Sequence, residues 1–86
     1  MWTVVYLPEA EQERDDIPDR EQAALYNAVV KLQNVGPSLG YPHTSNVEGA
    51  DRLRELRPRG GRSPWRALYR QFGGAFVIGA VCPEAK

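Results

Sequence analysis

Arginine is concentrated in the second half of this chain. Seven arginines lie between residues 52 and 70, although the 86-residue protein has a formal net charge of zero. No lysine accompanies them in this stretch. The guanidinium group is planar, permanently charged and suited to bidentate contact with phosphate, so the cluster favours a phosphate-rich partner such as nucleic acid. The alternative is an ordinary solvated sheet face whose arginines pair with acidic helices.

The charges are segregated along the sequence. Residues 1–51 contain nine acidic and three basic residues, a balance of −6, whereas residues 52–86 contain two acidic and eight basic residues, a balance of +6. Such asymmetry in a small protein indicates one surface that faces a polyanion and another that does not.

Few other residues could perform chemistry. His43 is the only histidine and a candidate general acid or base, although an isolated loop histidine is more commonly a surface residue. Together with the single cysteine, Cys82, it cannot supply a three- or four-ligand metal site, and one cysteine excludes internal disulfides. No apolar run is long enough to cross a membrane. We therefore expect no metal, no cofactor and a reducing, cytoplasmic setting.

The helices are predicted from apolar periodicity and from their end signals. Pro8 suits the first turn of one helix. Asp19 is the expected N-cap of a second helix, with Gln22 completing a capping box. A Gly-Pro pair at 36–37 ends that helix.

The remaining elements are strands and a loop. The expected strands lie at 2–7, 52–58, 64–72 and 75–82, and a polar loop covers 38–50. These elements predict a single α+β domain over residues 1–86, with the N-terminal strand and two helices packed on one face of an antiparallel sheet of about four strands.

Strand alternation predicts where the arginines point. Side chains alternate across a strand, so Trp65 and Tyr69 share one face, and the intervening residues share the other. If the two aromatic residues face the helices, Arg57, Arg66 and Arg70 meet on the uncovered face of the sheet.

Three motifs in order resemble those of a known family. The sequence GPSLGYP (36–42) precedes LRELRP (53–58), and WRALYR (65–70) follows after a glycine-containing turn. This order resembles the RelE/ParE superfamily of toxins from type II toxin–antitoxin pairs, and within it the HigB-like, phage-derived Gp49-like branch. The resemblance implies a compact RelE-like α+β fold.

The resemblance also implies an activity and partners. Many members are ribosome-dependent, metal-independent endoribonucleases that cut messenger RNA and inhibit translation. The implied partners are a cognate antitoxin, messenger RNA on the ribosome, and operator DNA through the antitoxin, with no membrane. The arginines of the family's active face correspond to Arg57 and Arg66, and His43 is our third catalytic candidate. The residues expected to bind RNA phosphates are Arg54, Arg59, Arg62, Arg70 and Lys86.

The carboxyl-terminal stretch departs from the family pattern. HigB-like members follow the last strand with a phenylalanine and two lysines, whereas this chain has AVCPEAK (80–86). We therefore expect the active-site elements usual at this end to be absent, which leaves nuclease activity an open question. Two other functions stay open: a ParE-like toxin directed at DNA gyrase, or a nonenzymatic nucleic-acid-binding or regulatory protein of the same fold.

Overall fold

The structure, a computed structural model, describes residues 1–85 as two helices and five strands in one sheet. Two short 3₁₀ turns, Gly36–Ser38 and Pro58–Gly61, complete the described elements. In chain order these are β1 (Thr3–Tyr6), α1 (Pro8–Asp16), α2 (Asp19–Val35), β2 (Thr44–Asn46), β3 (Arg54–Leu56), β4 (Trp65–Phe72) and β5 (Ala75–Pro83).

The sheet has the order β1-β5-β4-β3-β2. The pairs β2–β3, β3–β4 and β4–β5 are antiparallel, as the sequence predicted for the last three strands. Strand β1 pairs parallel with β5, so the sheet is mixed and not purely antiparallel. The predicted α+β class and RelE-like arrangement are confirmed, with one more strand than the approximate number expected.

The additional strand, β2, lies inside the predicted loop at 38–50. Its three polar residues pair with β3, and Thr44 is fully buried. The Thr44 hydroxyl is hydrogen-bonded to the Tyr69 hydroxyl at 2.7 Å, which ties β2 to β4 across β3. This contact holds the segment that carries His43 against the sheet.

The core lies between the helices and one face of the sheet. Helix α2 buries the apolar stripe predicted from its periodicity, at Ala24, Leu25, Ala28, Val29 and Leu32. The sheet contributes Leu56, Ala67, Tyr69, Phe76, Ile78 and Val81. Each large side chain that is fully buried contributes about 1.5–3 kcal/mol of transfer free energy. The sheet residues that alternate with this set are left on the uncovered face.

The start of α2 differs from the predicted capping box. Asp19 is the first helical residue, and the N-cap is Pro18, which has no side-chain cap hydrogen bond. The Gln22 amide instead donates to the carbonyl oxygens of Asp15 and Ile17. Gln22 therefore joins the end of α1 to α2, and the capping-box prediction was wrong.

The described part of the chain offers neither a membrane-spanning helix nor a cluster of metal ligands. Among residues 1–85, no helix is both long and apolar enough to span a membrane. Within the same residues, no cluster of three or more His, Cys, Asp or Glu side chains is arranged to hold a metal ion.

Candidate functional site

One carboxylate joins two of the predicted catalytic residues. Glu55, on β3, accepts a hydrogen bond from Arg57 Nη1 at 2.8 Å through its Oε2 atom. Arg66 Nε lies 3.5 Å from the same oxygen, and Ser45 Oγ donates to it at 3.2 Å. We call Glu55, Arg57 and Arg66 the Glu55 cluster. Glu55 alternates with the buried Leu56, so the cluster lies on the sheet face opposite the helices.

Arg66 is almost wholly enclosed, with 2% of its surface exposed. Its guanidinium donates to three backbone carbonyl oxygens, those of Gly61, Ser63 and Trp65, and to the carboxylate of Glu84. Of the buried side-chain nitrogen and oxygen atoms in residues 1–85, Arg66 Nε alone lacks a hydrogen-bond partner, and it faces Glu55. A buried charge is tolerated when carboxylates and carbonyl groups surround it in this way.

Arg57 is held in a single orientation at the edge of the sheet. Its Nε donates to the Pro42 carbonyl oxygen at 3.0 Å, and its guanidinium carbon lies 5.1 Å from the centre of the Tyr41 ring. Gly61 closes the other side, because a Cβ atom there would lie 2.5 Å from Arg57 Nη2. The guanidinium is therefore positioned before any ligand arrives.

The turn that carries the next arginine is bound to α2. Arg59 donates through Nη1 to both oxygens of Glu21, each at 3.0 Å, and through Nη2 to the Arg20 carbonyl oxygen. Ser63 Oγ donates to Glu21 at 2.7 Å. Hydrogen bonds from Ser63 and Arg59 lower the pKa of Glu21 below its ordinary value. Arg59 therefore anchors the turn, a structural task that the sequence did not predict.

A basic groove runs between α2 and this turn. Its deeper part is a cleft of about 250 Å³, and its outer part is a cleft of about 320 Å³. The two parts share Lys31, His43, Arg59 and Gly60, so they form one depression, which we call the α2 groove. Its charged or titratable lining residues are Arg20, Lys31, His43, Arg57, Arg59 and Arg62.

Sequence reasoning missed two residues of the α2 groove, Arg20 and Lys31. With Asn27 they follow the helical spacings of seven and four, which place side chains on the same face of a helix. This polar stripe was available in the sequence. Only the folded chain shows that this stripe lies beside the Pro58–Gly61 turn and so lines a basic groove.

Other predicted RNA-binding residues lie away from the Glu55 cluster. The prediction that Arg70 meets Arg57 and Arg66 was wrong. Arg70 is four residues from Arg66 along β4, which places it about 13 Å away. Arg54 alternates with Glu55, so it points to the opposite face, where it donates to the Asn46 side chain. Lys86 lies outside the described residues.

Arg70 borders an apolar hollow on the uncovered face of the sheet. The hollow has a volume of about 410 Å³, and its lining includes Leu53, Leu68, Phe72 and Val77. Phe72 is 61% exposed, which is unusual for a large aromatic side chain. An exposed apolar surface of this kind is typical of a protein-binding site.

The fold is shared with solved toxin structures. The isolated RelE toxin of E. coli aligns with a TM-score of 0.78 and 12% identity, over 100% of this chain and 87% of that chain. The RelBE2 toxin–antitoxin complex of Mycobacterium tuberculosis aligns with a TM-score of 0.72 and 19% identity, over 96% and 98% of the two chains. The chromosomal ParDE system of P. aeruginosa aligns with a TM-score of 0.64 and 16% identity, over 99% and 98%. At such identities the likeness shows the fold alone.

The sequence, as well as the fold, is similar to that of a known family. Among curated proteins, no sequence matches this chain. A family model described as phage-derived protein Gp49-like matches residues 12–80. This range includes every residue of the three motifs on which the predicted resemblance depended. Since the match covers well over half of the chain, the protein belongs to the phage-derived Gp49-like family.

Proposed function

We propose that this protein is the toxin of a type II toxin–antitoxin pair and that it cleaves messenger RNA on the ribosome without a metal ion. The observation that carries the proposal is the Glu55 cluster, in which Arg57 and Arg66 meet one carboxylate on a RelE-like sheet. Membership of the Gp49-like family and the RelE toxin among the similar structures support it.

The proposed chemistry is transesterification at phosphorus. The ribose 2′-OH attacks the adjacent phosphate, negative charge grows on the phosphoryl oxygens, and the leaving 5′ oxygen takes up a proton. A guanidinium fixed before the reaction stabilises this charge without reorganisation, and such a donor is worth about 2.7–4 kcal/mol elsewhere in catalysis. We assign this role to Arg57, because the Pro42 carbonyl, Tyr41 and Glu55 already hold it.

Arg66 and His43 have different parts in this proposal. Arg66 is enclosed by Glu84 and three carbonyl groups, so we assign it the role of holding Glu55 and the strand ends in place. His43 adjoins Arg57, whose backbone N–H donates to the His43 carbonyl oxygen at 2.9 Å. We assign proton transfer to His43, since imidazole both accepts and donates protons near neutral pH.

We also propose a cognate antitoxin as the protein partner, with operator DNA bound through that antitoxin in a bacterial cytoplasm. The RelBE2 structure and the intact E. coli RelBE structure are toxin–antitoxin complexes, which supports a partner of this kind. We assign the apolar hollow beside Arg70 to the antitoxin, because the exposed Phe72 and the half-buried Leu53 and Val77 offer a protein an apolar contact.

The test is primer-extension mapping of messenger RNA after brief induction in bacteria. Wild type should arrest growth and produce new 5′ ends within translated messages, and Arg57→Gln should lose both effects. Arg52→Gln is the matched control, because it removes the same charge from a residue outside both the cluster and the α2 groove. New ends that persist in Arg57→Gln would contradict the proposal.

Burial of Arg66 favours a second candidate, a toxin that acts on DNA gyrase without nuclease chemistry. An arginine that is 2% exposed and bound to Glu84 is better placed for structure than for RNA cleavage. Growth arrest without new message ends, together with inhibition of gyrase supercoiling by the purified protein, would establish this function. If the folded protein causes neither growth arrest nor new message ends, the remaining hypothesis is a nonenzymatic nucleic-acid-binding protein.

A further inference from the structure

We propose that the α2 groove binds the phosphodiester backbone of single-stranded RNA and that Arg20 and Lys31 are its principal contacts on α2. The inference deepens the proposed function and rests on it for the choice of RNA among polyanions. The groove is distinct from the Glu55 cluster: it lies on the helix side of the turn, and only Arg57 belongs to both.

The first argument is the charge of the groove. In the part of the chain that the structure describes, no aspartate or glutamate lines either part of it, although the full sequence has eleven acidic and eleven basic residues. Among the described residues, Arg20, Lys31 and Arg62 form no ion pair with a carboxylate. Cations brought together without counter-charges repel one another, and a bound polyanion relieves that repulsion.

The second argument is the fixed geometry of the groove. Arg20 and Lys31 are eleven residues apart on α2, which places them about 16 Å apart along the helix axis. The opposite wall is the turn that Arg59 and Ser63 fasten to Glu21. A rigid basic groove of this length suits several consecutive phosphates better than one free phosphate ion.

The third argument separates RNA from an acidic peptide. The apolar residues of the described chain that line the groove are alanines of α2, the exposed ring of Pro42 and the fully buried Leu56, so a peptide finds no exposed aromatic or long aliphatic side chain there. Peptide partners usually need such an anchor. Arg57 ends the groove and belongs to the Glu55 cluster, so RNA lying in the groove leads toward the proposed reacting phosphate.

The experiment measures RNA binding without cleavage. The probe is a labelled single-stranded RNA of about twelve nucleotides carrying 2′-O-methyl groups, which remove the attacking hydroxyl, titrated at several salt concentrations. Arg20→Gln/Lys31→Gln is compared with Arg14→Gln/Arg52→Gln, which also removes two positive charges but lies outside the α2 groove. Circular dichroism verifies that both variants are folded.

We expect the groove variant to bind about tenfold more weakly at low salt. Its salt slope should fall by about 1.4, since each lost phosphate contact on single strands contributes about 0.7. The control should retain the wild-type slope. Equal losses in both variants, or no loss in the groove variant, would overturn the inference, as would retained RNA binding with loss of binding to a polyglutamate peptide.

These outcomes are separable from those of the proposed nuclease. New message ends in wild type together with unaltered RNA binding by the groove variant would refute the groove and leave the nuclease intact. Loss of RNA binding by the groove variant, without new message ends in wild type, would support the groove and refute the nuclease.

Discussion

The guanidinium of Arg66 lies against the carboxylate of Glu84, with Nη2 2.8 Å from Oε2. The Arg66 side chain is 2% exposed and that of Glu84 is 50% exposed, so the carboxylate covers the arginine from the solvent side. The backbone N–H of Glu84 donates to the Pro64 carbonyl oxygen at 2.7 Å, which fixes this cover in place. Glu55 faces Arg66 from the other side. The buried charge is therefore balanced by two carboxylates.

We predict that Arg66→Ala lowers the free energy of unfolding by about 3–5 kcal/mol, the usual cost of breaking a buried ion pair. Three carbonyl oxygens lose their donor, and a cavity is left beneath Glu84. Arg66→Lys should cost less, because it retains the charge while losing the planar fork that reaches several acceptors. Urea denaturation measures both values.

Arg52→Gln serves as the control for this series, because exposed substitutions normally change stability by less than about 0.5 kcal/mol. A wild-type midpoint for Arg66→Ala would mean that Arg66 does not stabilise the fold. In that case, loss of cleavage by Arg66→Ala would show that Arg66 takes part in the reaction. With the expected destabilisation, activity must instead be compared under conditions where the variant is fully folded.

The fold was predictable where the signals are local. Apolar periodicity and prolines predicted both helices, and the glycines at 73–74 predicted the hairpin between β4 and β5. Strand β2 was missed because it is short, its residues, Thr-Ser-Asn, are polar, and the loop that joins it to β3 lacks the signature of a two-residue hairpin turn. The buried contact of Thr44 with Tyr69, 25 residues away, has no local signature.

In the candidate site, too, the local features were predictable from the sequence and the long-range contacts were not. Alternation along β3 and β4 correctly placed Arg57 and Arg66 on the uncovered face, where they share Glu55. It could not reveal that Glu21, 38 residues earlier, binds Arg59. Nor could it bring Lys31 beside the turn, since only the packing of α2 does so. Long-range ion pairs and grooves depend on tertiary structure, whereas strand faces depend on a period of two.

The interaction of Glu21 with Ser63 and Arg59 should depend on pH. Its pKa is lowered in the folded state, so the ionised carboxylate stabilises the fold fully above the unfolded value of about 4.3. This contribution is lost as the pH falls from there through the folded pKa. We predict that Glu21→Gln is less stable than wild type at pH 7 and that the difference shrinks toward pH 3.

Urea unfolding at pH 7, 5, 4 and 3 measures this difference. Glu48→Gln is a suitable control, because Glu48 forms no ion pair among the described residues. A difference between wild type and Glu21→Gln that stays constant with pH would show that the carboxylate contributes by packing and not by charge.

Substitution of Gly61 should disturb the position of the Arg57 side chain more than the stability of the fold. It has a φ of +94°, and an added Cβ would lie 2.5 Å from Arg57 Nη2. The flexible guanidinium can yield, so Gly61→Ala should displace Arg57 from Glu55 and Pro42. Gly49 has a φ of +82°, and nothing lies within 4 Å of its added Cβ. Both alanine variants carry backbone strain of about 1–2 kcal/mol, but only the first disturbs a proposed catalytic group.

We therefore predict similar urea midpoints for Gly61→Ala and Gly49→Ala but different message cleavage. Gly61→Ala should lose about a hundredfold in cleavage rate, near the effect of removing one preorganised donor. Gly49→Ala should cleave like wild type once both proteins are folded, because its strain lies outside the Glu55 cluster. Equal cleavage by the two variants would mean that the position of Arg57 does not limit the reaction, which would remove the main support for its catalytic assignment.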